Sequence, residues 1–376
     1  MRYIVTDKET GVYYSTRTDL TIVNSYSKGL MVLSEVEGNA NVTFINVVNT
    51  VTEDAYEKVN GEIAGRSPRG IFYTGEGEFT KGLVVISTGD GSKVIEPTDF
   101  SYMMDFSEMF YFAPDPCVME CLCKNMYGYN EYVIMSGRVY TRNLSFVEDM
   151  FVKYDPQVKG DYEAAPFSMY ESNDPFFYDQ KGKRFIYDDY GKMISVESAS
   201  GAFNPAAMEA TMVYGVAFED NVRAVMEDAD GHHFVIAAQK RVEYDDDFYN
   251  SYIRVIPIRK VDLNQTDIGE ATCFAVSSKD IDFLYYGYQN KIVCMSTVTG
   301  NVLATYDGFE EGNKIDYIEF DRSENPNRLY VGVSNGSGKA KSGSIYYLRM
   351  SSNGSLEEEN HFNNICGRVV DFEYNK

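Results

Sequence analysis

Two stretches of the sequence combine carboxylates with aromatic rings. They contain Asp188, Asp189 and Tyr190 in the first stretch and Tyr244, Asp245, Asp246, Asp247, Phe248 and Tyr249 in the second. Aromatic rings stack on sugar faces, carboxylates accept hydrogen bonds from sugar hydroxyls, and clustered carboxylate oxygens bind Ca²⁺. These residues are therefore the candidate ligand-binding set, and Ca²⁺ is the one cofactor that they suggest. The alternative interpretation is a solvated acidic surface.

Other patterns of catalytic or metal-binding residues are weaker. Residues 228–233 read Asp-Ala-Asp-Gly-His-His, but the downstream oxygen ligands and terminal Glu of a calcium loop are missing, so a hairpin turn is preferred. There are three histidines and no G-x-S-x-G nucleophile motif. A glycosidase needs only two carboxylates about 5 to 10 Å apart. The 57 acidic residues leave that chemistry open without indicating a pair.

The cysteines and the charge exclude several classes of site and partner. Cys117, Cys121 and Cys123 lie close in sequence, but no second pair or nearby His completes a zinc set, so buried free thiols are expected. A formal net charge of −23 without a basic stripe argues against nucleic acid. There is neither a run of about 18 apolar residues, which a membrane span would need, nor a signal peptide at the start.

The two acidic stretches fall in the turns of a repeated β-hairpin. Residues 184–187 and 192–196 flank the turn 188–191, where Asp and Gly tolerate positive φ. Similar apolar strands recur with gaps of 53, 49, 53, 49, 49 and 46 residues. Their anchor residues are Leu30, Leu83, Tyr132, Phe185, Phe234, Phe283 and Leu329. Units of about 50 residues are typical of propeller blades, so we predict an all-β fold with a seven-bladed β-propeller over residues 26–376.

The closing strand of the ring is predicted at residues 369–374. This segment mirrors residues 315–320, the expected inner strand of the last complete blade, and would be the inner strand of blade one. We count the strands of a blade outward from the channel and assign each anchor residue to the second strand of its blade. The loops at 188–191 and 239–251 then join second and third strands. Such loops leave on the face of the blade-to-blade connections, the usual ligand face. Short helical turns are predicted at residues 54–60 and 204–210.

Residues 1–25 are predicted to form a separate unit. Residues 2–6 and 12–16 flank a hairpin turn, and residues 20–23 continue as a strand. Two or three strands cannot bury an apolar face alone. We interpret them as the C-terminal strands of a truncated Ig/PKD-like domain, with the remainder upstream of Met1. The alternative is a hairpin docked on the propeller.

This strand pair, followed by residues 26–35 (YSKGLMVLSE) and a long repeat domain, resembles the PKD-like family lipoproteins of Bacteroidetes. The position of Leu30 is often Trp in that family, so this chain departs from the pattern there. The resemblance implies export and a cell-surface or outer-membrane location near glycan or nutrient uptake systems. It implies membrane contact only through a lipid anchor that this chain lacks, and it implies no particular reaction.

Two functions remain open from the sequence. The leading hypothesis is a non-enzymatic, surface-exposed binding or scaffold protein whose partners are carbohydrate or outer-membrane uptake proteins. The alternative is a polysaccharide lyase or glycoside hydrolase built on the propeller face. A deep central pocket with two convergent carboxylates and a perturbed pKa would favour the enzyme, whereas a shallow aromatic face would favour binding.

Overall fold

The regular secondary structure of the described residues is almost entirely β-strand, as the abundance of Tyr, Phe and β-branched residues favours. The computed structural model describes residues 2–17, 26–75, 82–124, 130–144, 151–166, 168–170, 174–244, 251–264 and 266–375. Helical structure in these ranges comprises α1 (Ala55–Asn60) and two 3₁₀ turns, Phe106–Met109 and Asp267–Glu270. The predicted helix at 54–60 is thus present as α1, whereas the helical turn predicted at residues 204–210 is absent: residues 205–206 form a turn and Ala210 begins a strand.

The N-terminal strands β1 (Arg2–Thr6) and β2 (Tyr13–Arg17) pair with each other in a sheet of their own. The turn between them is held by Asp7, whose carboxylate accepts the N–H groups of Glu9 and Thr10 at 2.9 and 2.8 Å. The strand predicted at residues 20–23 lies outside the described residues. No helix among those described is long and apolar enough to cross a membrane.

Seven further sheets form the blades of a β-propeller, which confirms the predicted fold. Blade one contains β29 (Arg368–Asn375), β3 (Gly29–Val36), β4 (Asn39–Asn46) and β5 (Val51–Thr52). Blade two contains β6 (Pro68–Thr74), β7 (Leu83–Thr88), β8 (Gly91–Ile95) and β9 (Tyr102–Asp105). Blade three contains β10 (Cys121–Lys124), β11 (Asn130–Met135) and β12 (Arg138–Asn143).

Blades four to seven continue the ring in chain order. Blade four contains β14 (Phe176–Asp179), β15 (Arg184–Asp189) and β16 (Lys192–Ser195). Blade five contains β17 (Ala210–Phe218), β18 (Asn221–Asp228), β19 (His233–Tyr244) and β20 (Ser251–Asp262). Blade six contains β21 (Cys273–Val276), β22 (Phe283–Tyr288), β23 (Lys291–Ser296) and β24 (Val302–Tyr306), and blade seven contains β25 (Lys314–Phe320), β26 (Arg328–Ser334), β27 (Gly343–Met350) and β28 (Leu356–Cys366).

The hydrophobic core lies between neighbouring blades. Phe44 of blade one packs in the same cluster as Ile71 and Val84 of blade two. Because a blade has a neighbour on each side, its central strands are buried on both faces, and β7 is buried at every residue. Such strands read as continuous apolar runs, which is why they gave the strongest repeat signal in the sequence.

The ring closes between the two ends of the chain. Strand β29 pairs antiparallel with β3 along its length, from Arg368 opposite Glu35 to Asn375 opposite Gly29. It therefore supplies the inner strand of blade one. Closure in this way leaves no unpaired inner strand at the junction.

Blade five differs from the arrangement predicted from the sequence. Its four antiparallel strands run in the order β17, β18, β19, β20, so β19, which was assigned as a second strand, is the third. A further short strand, β13 (Ser168–Tyr170), pairs parallel to β17. The loop between β19 and β20 consequently leaves on the face where first and second strands are joined. The prediction that it leaves on the opposite face was wrong.

A buried ion pair within blade three is hydrogen-bonded to blade two. Arg142 of β12 lies 2.8 Å from the Glu131 carboxylate of β11, and both side chains are almost completely buried. The Glu131 carboxylate also accepts hydrogen bonds from the Thr74 hydroxyl, the Gly75 N–H and the Tyr154 hydroxyl. Hydrogen-bond donors thus occupy the lone pairs of this buried carboxylate.

Candidate functional site

A cavity of about 1150 Å³ occupies the centre of the ring. Inner strands of six blades, β6, β10, β17, β21, β25 and β29, contribute to its wall. The cavity extends beyond the strand ends to Asn221, Asp280 and Ser323, which follow the first strands of blades five, six and seven. It therefore reaches the same face of the propeller as the loop between β19 and β20.

Two neighbouring inner strands place acidic and aromatic side chains on this cavity. Tyr317 and Glu319 come from β25, and Asp371 and Glu373 come from β29. Alternate residues of a strand point to the same side, so each pair faces the channel. Arg322, just after β25, lies 2.9 Å from the Glu319 carboxylate. We call these five residues the channel cluster.

The carboxylates of β29 are oriented by the neighbouring blade. Asp371 accepts the N–H of Ile71 at 2.9 Å, and Glu373 accepts the N–H of Tyr73 at 3.1 Å. Both donors belong to β6, whose free edge would otherwise present them to the channel. The carboxylates are therefore held in place before any ligand enters.

Burial sets the electrostatics of the channel cluster. It raises the pKa of Glu319 well above its usual range, and the charges of Asp371 and Glu373 raise that pKa further. Burial also raises the pKa of Asp371 to about 7, against the opposing effect of the Ile71 N–H. The same cause lowers the pKa of Arg322 to about 10. The cluster therefore retains protons near neutral pH.

We expect the raised pKa of Asp371 to make stability depend on pH. The folded-state pKa of about 7 exceeds the unfolded value of about 3.9, so the stabilising contribution is complete below about pH 4 and is lost as the pH rises through about 7. The Asp371→Asn variant lacks this contribution. Between about pH 4 and pH 7, the free energy of unfolding of the wild type should therefore fall by on the order of 2 kcal/mol more than that of the variant, a figure that allows for screening by water in the cavity.

Urea unfolding at several pH values between these limits measures that difference. The exposed Asp161, which pairs with Lys181 at the surface, provides the control variant Asp161→Asn. An Asp371→Asn profile parallel to that of the wild type would show that this carboxyl does not titrate as described.

The described residues of the sequence-predicted set do not line the cavity. They are Asp188, Asp189, Tyr190 and Tyr244; residues Asp245, Asp246, Asp247, Phe248 and Tyr249 lie outside the described part of the chain. Tyr190 is 86% exposed and Tyr244 is 57% exposed. Asp188 is engaged in its own turn, where it accepts the Gly191 N–H at 2.8 Å, and burial raises its pKa.

The structure nevertheless brings the bases of the two predicted hairpins together. The Tyr187 hydroxyl, at the end of β15, hydrogen-bonds the backbone of Ile253, near the start of β20. This contact joins β15 of blade four to the start of β20 in blade five.

The sequence interpretation missed the channel cluster. Its signal was present in the two mirrored inner strands, which read DYIEF at residues 316–320 and DFEY at residues 371–374. In both, acidic and aromatic residues occur together in a strand predicted to be innermost. A charged side chain in such a strand avoids burial in the core between blades only if it faces the channel.

Two other predictions concern metals and thiols. Asp228, Asp230 and His232 place ligand atoms within 4.8 Å of one another. However, one Asp228 oxygen accepts the N–H groups of Asp230 and His232 at 3.0 and 2.9 Å, as expected for a tight turn. The six cysteines are buried thiols outside any disulfide, as predicted.

Comparison with known proteins adds one sequence match. The model of the PKD-like family matches residues 1–68. The matched segment contains the β1–β2 hairpin and continues through blade one as far as Pro68, the first residue of β6. No curated protein matches the chain.

Solved structures with a similar architecture are distant. The structure of U3-55K has 9% identity and a TM-score of 0.49, and the match covers 81% of this chain and 84% of that one. The dihydro-heme d1 dehydrogenase NirN in complex with DHE has 10% identity and a TM-score of 0.49, covering 99% and 79%. Hsv2 of Kluyveromyces lactis has 10% identity and a TM-score of 0.41, covering 81% and 80%. At these sequence identities and TM-scores, the similarity to these structures is no evidence of function.

Proposed function

We propose that this protein is a non-enzymatic, surface-exposed binding protein whose central cavity takes a carbohydrate. A propeller serves generally as a binding or scaffold platform, because its rigid ring presents a channel and loops at fixed positions. The proposal also places the protein at the outer membrane, beside proteins of glycan or nutrient uptake. That location is what the resemblance to the PKD-like family lipoproteins implies, and residues 1–68 match the model of the PKD-like family.

The observation that carries the proposal is the composition of the cavity wall. Aromatic rings, among them Phe72, Tyr214 and Phe274, lie together with the carboxylates of the channel cluster around one space. Rings offer flat apolar surfaces to the faces of a sugar, and oriented carboxylates accept hydrogen bonds from its hydroxyls. A cavity of about 1150 Å³ is large enough for a short oligosaccharide.

The acidic and aromatic residues of the two hairpins would provide a second contact, the rim, for a longer chain. Tyr190 and Tyr244 are 86% and 57% exposed, and we propose that a polysaccharide that enters the channel extends to them. We include Asp188, Asp189, Tyr190 and residues 244–249 in this outer contact. Ca²⁺ bound by the rim carboxylates would strengthen it.

Calorimetric titration with short oligosaccharides and with polysaccharide tests the proposal. Phe274→Leu, which removes a ring stacked on Tyr214 in the cavity wall, should weaken binding of short sugars by about tenfold. Phe112→Leu is the matched control, because Phe112 is 74% exposed and does not line the cavity. Tyr190→Ala should weaken only the polysaccharide. Absence of sugar binding to the full chain would refute the proposed function.

A polysaccharide lyase or glycoside hydrolase is the second candidate. The favouring observation is that burial raises the pKa of the Glu319 carboxyl and raises that of Asp371 to about 7, while the Tyr317 hydroxyl interacts with both and lowers the pKa of both. A carboxyl that is protonated near neutrality can act as a general acid. Product release from a polysaccharide panel by the wild type, lost in Asp371→Asn with sugar binding retained, would establish the enzyme. Binding without product favours the binding protein.

A further inference from the structure

We infer that the preferred ligand of the central cavity is an amino sugar, a carbohydrate that carries a protonated amine. This inference rests on the proposed function and specifies the class of sugar. It follows from the charge of the wall, from the arrangement of the channel cluster and from the aromatic rings beside that cluster.

The wall carries more carboxylates than cations. Seven acidic and three basic side chains line the cavity. They are Glu120, Glu219, Asp280, Glu319, Asp321, Asp371 and Glu373 against Arg69, Lys279 and Arg322. In an enclosed space of low dielectric, this excess repels an anionic ligand strongly and attracts a cation. Sugars with carboxylate, sulfate or phosphate groups are therefore disfavoured.

The channel cluster concentrates the excess at one place. Arg322 pairs with Glu319 at 2.9 Å, while Asp371 and Glu373 project from the facing strand β29. Three carboxyl groups thus lie near one guanidinium, and one of them, that of Asp371, is partly protonated near pH 7. An ammonium group has three N–H donors in different directions, which suits carboxylates that converge from two strands. The hydroxyl of a neutral sugar offers one donor and no charge.

Aromatic rings complete the surroundings of a cation. The ring of Tyr317 borders the cavity beside the carboxylates, and Phe372, buried between blades one and seven, packs behind it with 5.8 Å between the ring centroids. A cation near the face of such a ring is attracted by the negative charge of the π system. An amino sugar would place its ammonium at the carboxylates and its ring against the aromatic wall.

Binding of a cation should release protons from the cluster. Without a ligand, the carboxyl of Asp371 is partly protonated near pH 7 because burial disfavours its charge. A bound ammonium supplies the missing positive charge, favours the ionised carboxylate and displaces the proton to buffer. Neutral sugars would not cause this release. Proton release therefore distinguishes specific binding at the cluster from general affinity for sugar.

Calorimetry with three oligosaccharides of equal length tests the inference. The probes are oligomers of glucosamine, N-acetylglucosamine and galacturonate, each titrated near pH 6.5 in two buffers of different ionisation enthalpy. We expect glucosamine oligomers to bind at least about tenfold more tightly than the N-acetylated ones, with proton release, and galacturonate not to bind. Glu319→Gln combined with Asp371→Asn should abolish the preference and the proton release, so that the amino and N-acetylated oligomers bind the variant with equal affinity.

The control separates this effect from adsorption of a cation to an acidic protein. Asp161→Asn combined with Glu57→Gln removes the same charge at exposed positions and should change neither the preference nor the proton release. Equal affinity for the amino and N-acetylated oligomers, or an equal loss in both double variants, would overturn the inference and leave the proposed function standing. Failure of all three oligomers to bind would refute both.

Discussion

Replacement of Glu131 by alanine is expected to lower the free energy of unfolding by about 3–5 kcal/mol. The substitution leaves the Arg142 guanidinium buried without its ion-pair partner between blades two and three. It also removes the acceptor used by the Thr74 hydroxyl and the Gly75 N–H. Loss of one partner in a buried network costs more than the interaction itself contributes, because the remaining polar groups stay desolvated.

Chemical denaturation of the wild type and the variant measures this loss. Asp161→Ala is the control, since it breaks the Lys181 ion pair, in which both side chains are more than half exposed, and should cost at most about 1 kcal/mol. A loss for Glu131→Ala no larger than that of the control would show that the buried network does not support the junction of the two blades.

Removal of the closing strand is expected to abolish cooperative folding of the propeller. A chain that ends at Gly367 lacks β29 and exposes the free edge of β3. It also loses Val369 and Phe372, which are buried at the junction of blades one and seven. An open ring presents an unpaired inner strand in its core, which favours aggregation. We expect no single unfolding transition and sedimentation as aggregates.

Two controls accompany the truncation. A chain that begins at Tyr26 lacks the β1–β2 hairpin, which forms a separate sheet, and should unfold cooperatively like the full chain. A peptide with the sequence of residues 368–375, added to the truncated chain during refolding, should restore the transition. A normal transition in the truncated chain without the peptide would contradict the role of β29.

The sequence was sufficient to predict the seven-bladed ring because the central strands of the blades are buried on both faces. Such strands must be apolar throughout, and the runs around Leu30, Leu83 and Leu329 repeat visibly as a result. The same signal misled the assignment of blade five. There β18 and β19 are both long and apolar, and the regular spacing selected Phe234 of β19 rather than β18.

The site was harder to predict because its residues come together only when the ring closes. Glu319 and Asp371 are 52 positions apart, and each alone resembles an ordinary polar residue of a strand. Their partners, such as the Ile71 N–H, belong to a third blade. The acidic loop around Tyr244 was more conspicuous, because a run of aspartates stands out in sequence, yet the cavity is lined by isolated carboxylates on inner strands.

A crystal structure of the protein soaked with a glucosamine oligomer tests the central claim most directly. We predict sugar density inside the channel between β25 and β29, with the amine about 3 Å from carboxylate oxygens of the channel cluster. Sugar bound elsewhere on the protein, with the channel free of sugar, would contradict the claim that the central cavity is the binding site.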